Sequence, residues 1–166
     1  VAAEPLIAVK DLSVAFGANA VLRDLSLQIP RGQTLAIIGE SGCGKTVLLK
    51  TMIGLIPPTS GGARFDNRSL NALNERELSQ LRTRFGFVFQ NAALFDSMTI
   101  AENILFPLKQ HQPRGRDHEE KMRSLLGEVG LPASVLNRFP AELSGGMRKR
   151  VGLARAIVMR PEAVLY

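Results

Sequence analysis

The stretch that decides the fold is GESGCGKT, residues 39–46. It fits the pattern G-x-x-x-x-G-K-[ST]. A continuously apolar run, TLAII (34–38), precedes it, and the helix-like VLLKTMIGLI (47–56) follows it. Strand, loop and helix in this order form the context in which such a loop binds phosphate. A glycine turn that fits the pattern by chance is the alternative, and the flanking elements argue against it.

The residue types in this loop have a specific chemical use. Its glycines let the backbone curl so that successive N–H groups point at phosphate oxygens. The helix that follows adds the partial positive charge of its N-terminus. Lys45 can reach the β- and γ-phosphates, and the Thr46 hydroxyl can ligate Mg²⁺. The predicted ligands are therefore a nucleotide, ATP, and Mg²⁺.

Cys43 lies inside this loop and is the only cysteine of the chain. A single cysteine excludes an internal disulfide and is typical of a reducing compartment. We expect a small filler whose side chain is aimed away from phosphate. A reactive thiol is the alternative, because the helix N-terminus and Lys45 both favour a thiolate.

Length and composition indicate one soluble, cytosolic domain. The chain has 166 residues, 45% of them hydrophobic, which is enough for a sizeable core. No apolar stretch approaches the roughly 20 residues of a membrane span. The first residues, VAAEP, lack the basic region and the apolar core of a signal peptide.

The net charge is +6, from 21 basic and 15 acidic residues, and the pI is about 10.1. Such a charge raises the question of nucleic-acid binding. The one local cluster is Arg148-Lys149-Arg150, and Phe139 is the only aromatic within ten residues of it. Stacking platforms for bases are therefore not evident, and nucleic acid is not the predicted partner.

The pattern along the chain predicts an α/β fold: a P-loop core with an N-terminal antiparallel β hairpin, a helical subdomain and an incomplete parallel sheet. Alternating residues at 6–16 and 21–29 predict the hairpin. Further strands are expected at 34–38, 62–66 and 85–89, and helices at 47–56, 75–82, 117–129 and 145–159. The expected division is 1–90 for the β-rich start and core, 91–160 for the helical subdomain, and 161–166 for the start of a strand.

A second glycine pair opens the last predicted helix, in ELSGGMRKR (142–150). Ser144 is predicted to be its N-cap, and Gly145-Gly146 would leave the first helical N–H groups uncovered. This predicts a second anion site, with an ordinary capped helix as the alternative. Met147 begins an apolar stripe that continues with Val151, Ala154 and Val158.

A phosphate loop, a strand that ends in Gln90, and L-S-G-G before a basic helix occur in this order in ATP-binding cassette (ABC) ATPases. The sequence resembles that family from Leu6 to Tyr166. The resemblance implies that Phe16 stacks on adenine, although a strand-end core residue is the alternative. It also implies that Gln90 touches Mg²⁺ and the attacking water, with an exposed loop glutamine as the alternative.

The resemblance further implies that Ser144, Gly145 and Gly146 cap the γ-phosphate of a nucleotide held by a second ABC ATPase subunit, so that a homodimer is expected. Met147 replaces the usual Gln of this signature and cannot make its hydrogen bonds. The implied catalytic residues are Lys45 and Gln90, and the implied metal ligands are Thr46 and Gln90. The implied nucleotide-binding set is Phe16, Gly39, Glu40, Ser41, Gly42, Cys43, Gly44, Lys45, Thr46 and Val47, with Ser144, Gly145, Gly146 and Met147 from the other subunit.

Residues 91–108, NAALFDSMTIAENILFPL, lie where ABC ATPases meet their transmembrane permease subunits. Together with L-S-G-G-M, this stretch looks like the ATPase of Mla-type (toluene-tolerance) systems, which transport phospholipid with an MCE-type lipid-binding protein. The resemblance places such a protein on the cytoplasmic face of the inner membrane. Another importer, a lipoprotein exporter, and ABC proteins that act on ribosomes or DNA are the alternatives. The predicted docking residues, or alternatively core residues, are Phe95, Met98, Ile104 and Phe106.

The family places two carboxylates after the strand that begins at Ala163. One holds the metal's water and the other polarises the attacking water. The sequence stops at Tyr166, one residue before the first is expected. His111 and His118 do not match the family's switch histidine. We therefore expect residues 1–166 to bind nucleotide without hydrolysing it, and to be poorly stable alone. A nucleotide-binding module without enzymatic activity is the remaining alternative.

Overall fold

An antiparallel sheet and two helices make up the first part of the computed structural model, which describes residues 4–111 and 118–166. The chain divides into two compact units, Val1–Arg82 and Thr83–Tyr166. The elements of the first unit are β1 (Pro5–Phe16), β2 (Asn19–Pro30), α1 (Lys45–Met52), β3 (Ser60–Phe65), β4 (Arg68–Ser69) and α2 (Glu75–Arg82). Its strand order is β2-β1-β3-β4, and every neighbouring pair is antiparallel.

The predicted hairpin is confirmed. Its register runs from Pro5 opposite Pro30 to Phe16 opposite Asn19. Gly17, in the tight turn, has φ +60°, which glycine adopts without strain. β3 extends this sheet at the other edge of β1, and α1 contacts all three strands. Apolar residues of β1, α1 and β3 form the core of the unit: Ile7, Val9, Leu12, Val14, Leu48, Met52 and Phe65.

The expected buried strand at 34–38 is not formed. The segment between β2 and the 39–46 loop has no regular secondary structure, and Leu35 and Ile38 are 48% and 94% exposed. A parallel strand is stabilised only by hydrogen bonds to neighbouring strands. No described strand pairs with this segment, so its backbone groups have no strand partner for hydrogen bonds.

Two elements of this unit have boundaries that differ from the predicted ones. The helix expected at 47–56 begins at Lys45 and ends at Met52, because Gly54 (φ +69°) and the prolines after it end the helix. The strand expected from residue 62 begins at Ser60. The strand can begin there because residue 61 is a glycine (φ +68°) and lies close to Asp11. Any side chain at this position would clash, since an added Cβ would lie 2.0 Å from the Asp11 carbonyl oxygen.

The second unit combines helices with a short parallel strand pair. Its elements are β5 (Phe85–Phe87), α3 (Ile100–His111), α4 (His118–Glu128), α5 (Gly145–Ile157) and β6 (Ala163–Leu165). β5 and β6 pair in parallel, with Phe85 opposite Ala163 and Phe87 opposite Leu165. The strand expected at Ala163 is thus confirmed, whereas the one expected at 85–89 ends two residues early.

The predicted helices of this unit are largely confirmed. α4 occupies most of the range expected at 117–129, whose first residue lies outside the described part of the chain. On α5, Val151 and Ala154 are buried, as is Val158 at the C-cap, and Met147 packs against the same cluster, as the stripe predicted. This hydrophobic cluster, the core of the second unit, also contains Ile100, Ile104 and Leu108 of α3 and Met122 and Leu126 of α4. Among the described residues, no helix has the length and apolar character needed to cross a membrane.

Candidate functional site

The 39–46 loop folds around the ammonium group of Lys45. Lys45 Nζ donates to the carbonyl oxygens of Gly39 at 2.8 Å and Glu40 at 2.6 Å. The Cys43 N–H donates to the Glu40 carbonyl at 3.4 Å and closes the turn. A lysine ammonium has three donors, and here the third is directed at Cys43 Sγ at 3.6 Å, so a ligand would have to displace one of the three partners. The loop therefore holds a fixed positive charge.

Two of the loop glycines are required by the backbone. Gly42 and Gly44 have φ values of +83° and +96°, in the region that side chains rarely adopt. Around Gly42 there is open space, whereas a Cβ on Gly44 would lie 2.9 Å from Leu22 Cδ2. Gly44 thus meets two demands at once, a left-handed φ and close contact with the hairpin.

The helix that follows presents free donors. Gly44 occupies the N-cap position of α1, and no side chain caps the helix. Within the described part of the chain, the backbone N–H groups of Lys45 and Thr46 have no acceptor. Unpaired N–H groups, the helix dipole and the Lys45 charge together form an anion site of the kind that binds phosphate. The Thr46 side chain is exposed, and its hydroxyl is free to ligate a metal.

The thiol of Cys43 lies on the ammonium side of the loop. Cys43 Sγ is 3.6 Å from Lys45 Nζ, and a Cβ on Gly39 would lie 2.7 Å from the same sulfur. The thiol thus contacts the ammonium, and the expectation that it is aimed away from a bound phosphate stays a prediction. Cys43 is exposed and free.

Phe16 lies at the end of the hairpin that contacts the loop. Its side chain is 53% exposed, so it is not the core residue of the alternative interpretation. Phe16 pairs with Asn19, and two pairs further along β1, Val14 is opposite Leu22, which contacts Gly44. Since strands rise roughly 3.3 Å per residue, the ring lies on the part of the hairpin next to the loop. This is a suitable position for a base-stacking platform.

Gln90 lies in the second unit, in an exposed turn three residues after β5. The turn continues through Ala92 and Ala93, whose φ values are +60° and +45°. Arg155 on α5 donates to both of their carbonyl oxygens, from Nη2 to Ala92 at 2.7 Å and from Nη1 to Ala93 at 2.8 Å. Burial lowers the pKa of the Arg155 guanidinium from its ordinary value.

Sequence reasoning did not single out Arg155. The signal that could have singled it out is its position on α5. It lies one residue after Ala154 of the buried stripe, so it flanks the face that packs on the rest of the unit.

The predicted N-cap at Ser144 is confirmed. Ser144 Oγ accepts from the Met147 N–H at 3.3 Å. Gly145 and Gly146 are exposed, and a Cβ on Gly146 would meet open space. Met147 is half-buried against the cluster of the second unit. In this chain the last signature position therefore contributes to packing.

The four predicted docking residues divide into surface and core. Phe95 is 40% exposed, and Met98 and Phe106 are half-buried. The Phe95 and Phe106 rings contact each other with centroids 4.8 Å apart. Ile104 is fully buried in the cluster, so its assignment to the docking surface is wrong. On the helical period, position 104 faces inward with Ile100 and Leu108.

Buried Asn103 shapes the segment that carries Phe95. Its Oδ1 accepts from the Phe95 N–H at 2.8 Å, and its Nδ2 donates to the carbonyls of Phe95, Met98 and Thr99 at 3.0–3.1 Å. All polar atoms of this side chain are therefore satisfied inside the segment. Sequence reasoning missed Asn103, because a single polar residue in an apolar helix pattern does not show which backbone groups it binds.

The two units carry different parts of the predicted site. The first contains the loop and Phe16, while the second contains Gln90, the α5 N-terminus and the Phe95 segment. Among the described residues, no three His, Cys, Asp or Glu side chains are grouped to hold a metal.

Comparison with known families and structures agrees with this geometry. The family profile described as "ABC transporter" matches residues 22–166. The solved structure titled "Dimeric Structure of MJ0796, a Bacterial ABC Transporter Cassette" superposes with a TM-score of 0.88 at 30% identity, covering 95% of this chain and 72% of that one. A structure of MJ0796 in a dimeric post-hydrolysis state bound to ADP and Pi gives a TM-score of 0.87 at the same identity and coverage.

Curated relatives come from several transport systems. The "Probable ribonucleotide transport ATP-binding protein mkl" of Mycobacterium leprae is 41% identical over 163 residues, 96% of this chain and 46% of the relative. The methionine import ATP-binding protein MetN of Rhizobium etli is 39% identical, with 99% and 45% coverage. The sulfate/thiosulfate import ATP-binding protein CysA of Escherichia coli is 40% identical, with 96% and 43% coverage. The chain spans less than half the length of these relatives.

Proposed function

We propose, because the chain belongs to the ABC transporter family, that it is the nucleotide-binding part of a transport ATPase and binds Mg-ATP at the 39–46 loop. The observation that carries this proposal is the Lys45 ammonium, held by two loop carbonyls beside the uncapped N-terminus of α1. A triphosphate is the ligand whose charge and oxygen acceptors this arrangement fits best.

Three side chains of the first unit, those of Lys45, Phe16 and Thr46, are proposed to contact Mg-ATP. Lys45 and the free N–H groups of α1 bind and orient the β- and γ-phosphates, and the exposed Phe16 ring supports the adenine. Thr46 holds the metal through its hydroxyl. When bound, Mg²⁺ neutralises phosphate charge and favours in-line attack of water on the γ-phosphate.

The α5 N-terminus is proposed to act on a second subunit. Its exposed Gly145 and Gly146 admit close approach of a phosphate to backbone N–H groups. Among residues 4–111 and 118–166 of the chain itself, only the Ser144 hydroxyl covers one of these groups, the Met147 N–H. A homodimer would thus bind ATP between the 39–46 loop of one subunit and residues 144–146 of the other. Met147 supplies no hydrogen bond to the ribose there.

Hydrolysis is proposed to need more than residues 1–166. Gln90 is exposed and free to touch the metal and the attacking water. After β6, however, Tyr166 is the only residue of this sequence, and no carboxylate is present there to polarise that water. Residues 1–166 are therefore proposed to bind Mg-ATP without turning it over.

The proposed cargo is phospholipid, in an inner-membrane system with permease subunits and an MCE-type lipid-binding protein. The support is the sequence of residues 91–108 and of L-S-G-G-M. In addition, the exposed Phe95 ring, which packs on the half-buried Phe106, could contact a permease. Such a cassette would be peripheral on the cytoplasmic face of that membrane. A ribonucleotide is the second candidate cargo, because the relative from Mycobacterium leprae is named for its transport.

Nucleotide binding is tested by titrating the purified chain with a fluorescent ATP analogue in the presence of Mg²⁺. Lys45→Ala is expected to weaken binding by roughly ten- to a hundredfold, as the loss of a charge-assisted bond does. Lys50→Ala is the matched control, because it removes the same charge from the last turn of α1. Equal affinities of the two variants would contradict the proposal.

Turnover is tested separately with the same protein and Mg-ATP. Phosphate release at the background rate is expected. A rate that Lys45→Ala abolishes would show that residues 1–166 hydrolyse ATP, and would refute the proposal that they lack the required carboxylate.

The partner is tested by placing a photo-crosslinking amino acid at Phe95 in cells and identifying the captured proteins by mass spectrometry. A permease encoded with an MCE-type protein is expected. The same amino acid at Phe139, which is similarly exposed at 44%, is the control for random capture. Capture of an amino-acid or sulfate importer's permease at Phe95 alone would contradict the lipid assignment.

A further inference from the structure

The turn after Gln90 is held in a conformation that its own residues disfavour. Ala92 and Ala93 both have φ in the left-handed region, where the Cβ of an L-residue crowds the backbone. Two such residues in succession persist only where the surrounding structure holds them. The question is which group holds this turn.

Arg155 accounts for the conformation. Its two terminal nitrogens bind the carbonyl oxygens of Ala92 and Ala93, at 2.7 and 2.8 Å. A guanidinium presents its donors in a rigid plane, so two bonds fix both the distance and the orientation of the turn. The group is also partly desolvated, so loss of these acceptors would leave a buried cation unpaired.

The backbone of α5 is fitted to the same turn. An added Cβ on Gly152 would lie 3.1 Å from the Ala92 Cβ and 3.2 Å from its Cα. Ala92 itself is only 1% exposed. The turn therefore rests on α5 one helical turn before the point where Arg155 binds it.

Arg155 also contacts Phe95, at the far end of the segment formed by residues 90–95. Its Cζ lies 5.9 Å from the centroid of the Phe95 ring, within the range of a cation–π contact. The same ring contacts Phe106 of α3. One side chain thus contacts both the turn after Gln90 and the exposed Phe95 ring.

We infer that Arg155 is a positioning residue that fixes residues 90–95 to α5, so that Gln90 and Phe95 move with the helix whose N-terminus carries Ser144. The roles of Gln90 toward Mg-ATP and of Phe95 toward a permease rest on the proposed function. The attachment itself does not depend on that function. It provides a mechanical link between the nucleotide-facing and partner-facing ends of the segment.

The attachment is tested by hydrogen exchange of the Ala92 amide, which donates to the Phe89 carbonyl at 2.9 Å. Arg155→Lys keeps the charge but cannot make both bonds in one plane. It is expected to speed exchange at Ala92 by about tenfold or more. The amide of Leu131, bonded to the Leu126 carbonyl in the same unit, should be unaffected and reports whether the fold is retained.

Arg150→Lys is the matched control, because Arg150 also lies on α5 and also donates to a loop carbonyl, that of Gly130. It should leave exchange at Ala92 unchanged. Gly152→Ala is the second variant: it retains Arg155 but displaces Ala92, and it should speed exchange at Ala92 in the same way. Unchanged exchange at Ala92 in both Arg155→Lys and Gly152→Ala would overturn the inference.

A positioning role is separated from a merely structural one by adding ATP with and without Mg²⁺. In the unsubstituted chain, Mg-ATP is expected to slow exchange at Ala92. In Arg155→Lys that response should be lost while the affinity for Mg-ATP stays within about twofold. A retained response would overturn the positioning role. Absence of ATP binding in the unsubstituted chain would instead refute the proposed function and leave the exchange result standing.

Discussion

The N-termini of α1 and α5 both have a glycine at or next to the N-cap and both present backbone N–H groups, yet they are built differently. At α1 the N-cap is Gly44, no side chain caps the helix, and the Lys45 ammonium lies on the loop. At α5 the N-cap is Ser144, whose hydroxyl already accepts a bond from Met147. One terminus is left open for a ligand, whereas the other is partly satisfied within the chain.

The glycines show the same contrast. Gly44 has a left-handed φ and is tightly enclosed by the hairpin, so the fold requires it. Gly146 lies in an exposed helical turn with open space around its Cα, so the fold does not require it. A glycine without a structural reason is the one whose presence a ligand or a partner explains. The predictions below test this distinction.

Gly44→Ala is expected to have the largest effect. The left-handed backbone and the 2.9 Å approach to Leu22 together should destabilise the chain by roughly 2–4 kcal/mol, and Mg-ATP binding should be lost. Urea unfolding measures the first effect, and ATP titration the second.

Gly42→Ala is the control for backbone strain alone, because φ at Gly42 is +83° but the space around it is open. Its cost should be only about 1–2 kcal/mol. If the two variants were equally stable, contact with the hairpin would not be what constrains Gly44.

Thr46→Val is expected to leave stability unchanged, because the exposed hydroxyl has no partner in the described part of the chain. Its effect should be on the metal. The gain in ATP affinity that Mg²⁺ produces should fall by about tenfold, whereas affinity in EDTA should stay the same. Thr46→Ser, which keeps the hydroxyl, should behave as the unsubstituted chain. An equal loss in EDTA would mean that the residue contacts phosphate or packs in the loop.

Ser144→Ala should destabilise the second unit by about 1 kcal/mol, as loss of an N-cap usually does. Urea unfolding followed by circular dichroism measures it. Ser124→Ala on α4 is the matched control, because the hydrogen bond that the described part of the chain gives Ser124 Oγ is a weak one to Glu128, at 3.4 Å. This variant should change stability by less than about 0.5 kcal/mol. A neutral Ser144→Ala would show that the 3.3 Å bond contributes nothing and that this terminus is as open as that of α1.

Local signals in the sequence predicted most of these features, because they depend on near neighbours. The hairpin follows from alternation and the turn at Gly17, the N-cap from Ser144, and the stripe on α5 from its spacing. The prediction of a strand at 34–38 was wrong, because an apolar run becomes a strand only when neighbouring strands pair with it. Apolar composition does not reveal whether such strands are present.

The errors within the site have a similar origin. Ile104 belongs to a sequence window that resembles a docking surface, but burial is decided residue by residue on the helical period. Arg155 binds backbone carbonyls that lie more than sixty residues before it in the sequence. Asn103 binds carbonyls four to eight residues before it. A backbone carbonyl is present at every position, so no residue type in the sequence indicates which one is bound.

Gly146→Ala is expected to have a small effect on stability, and one of the opposite sign. Alanine in an exposed helical position is favoured over glycine by roughly 0.5–1 kcal/mol, and the added Cβ meets open space. Gly127→Ala on α4, also in open space, is the matched control and should be about as stabilising in urea unfolding. The two should differ in dimer formation with Mg-ATP, measured by analytical ultracentrifugation, where only Gly146→Ala places a methyl group between the helix N-terminus and a phosphate. If Gly146→Ala destabilised the chain while Gly127→Ala stabilised it, Gly146 would have a structural role within its own chain, and the contrast with Gly44 would be lost.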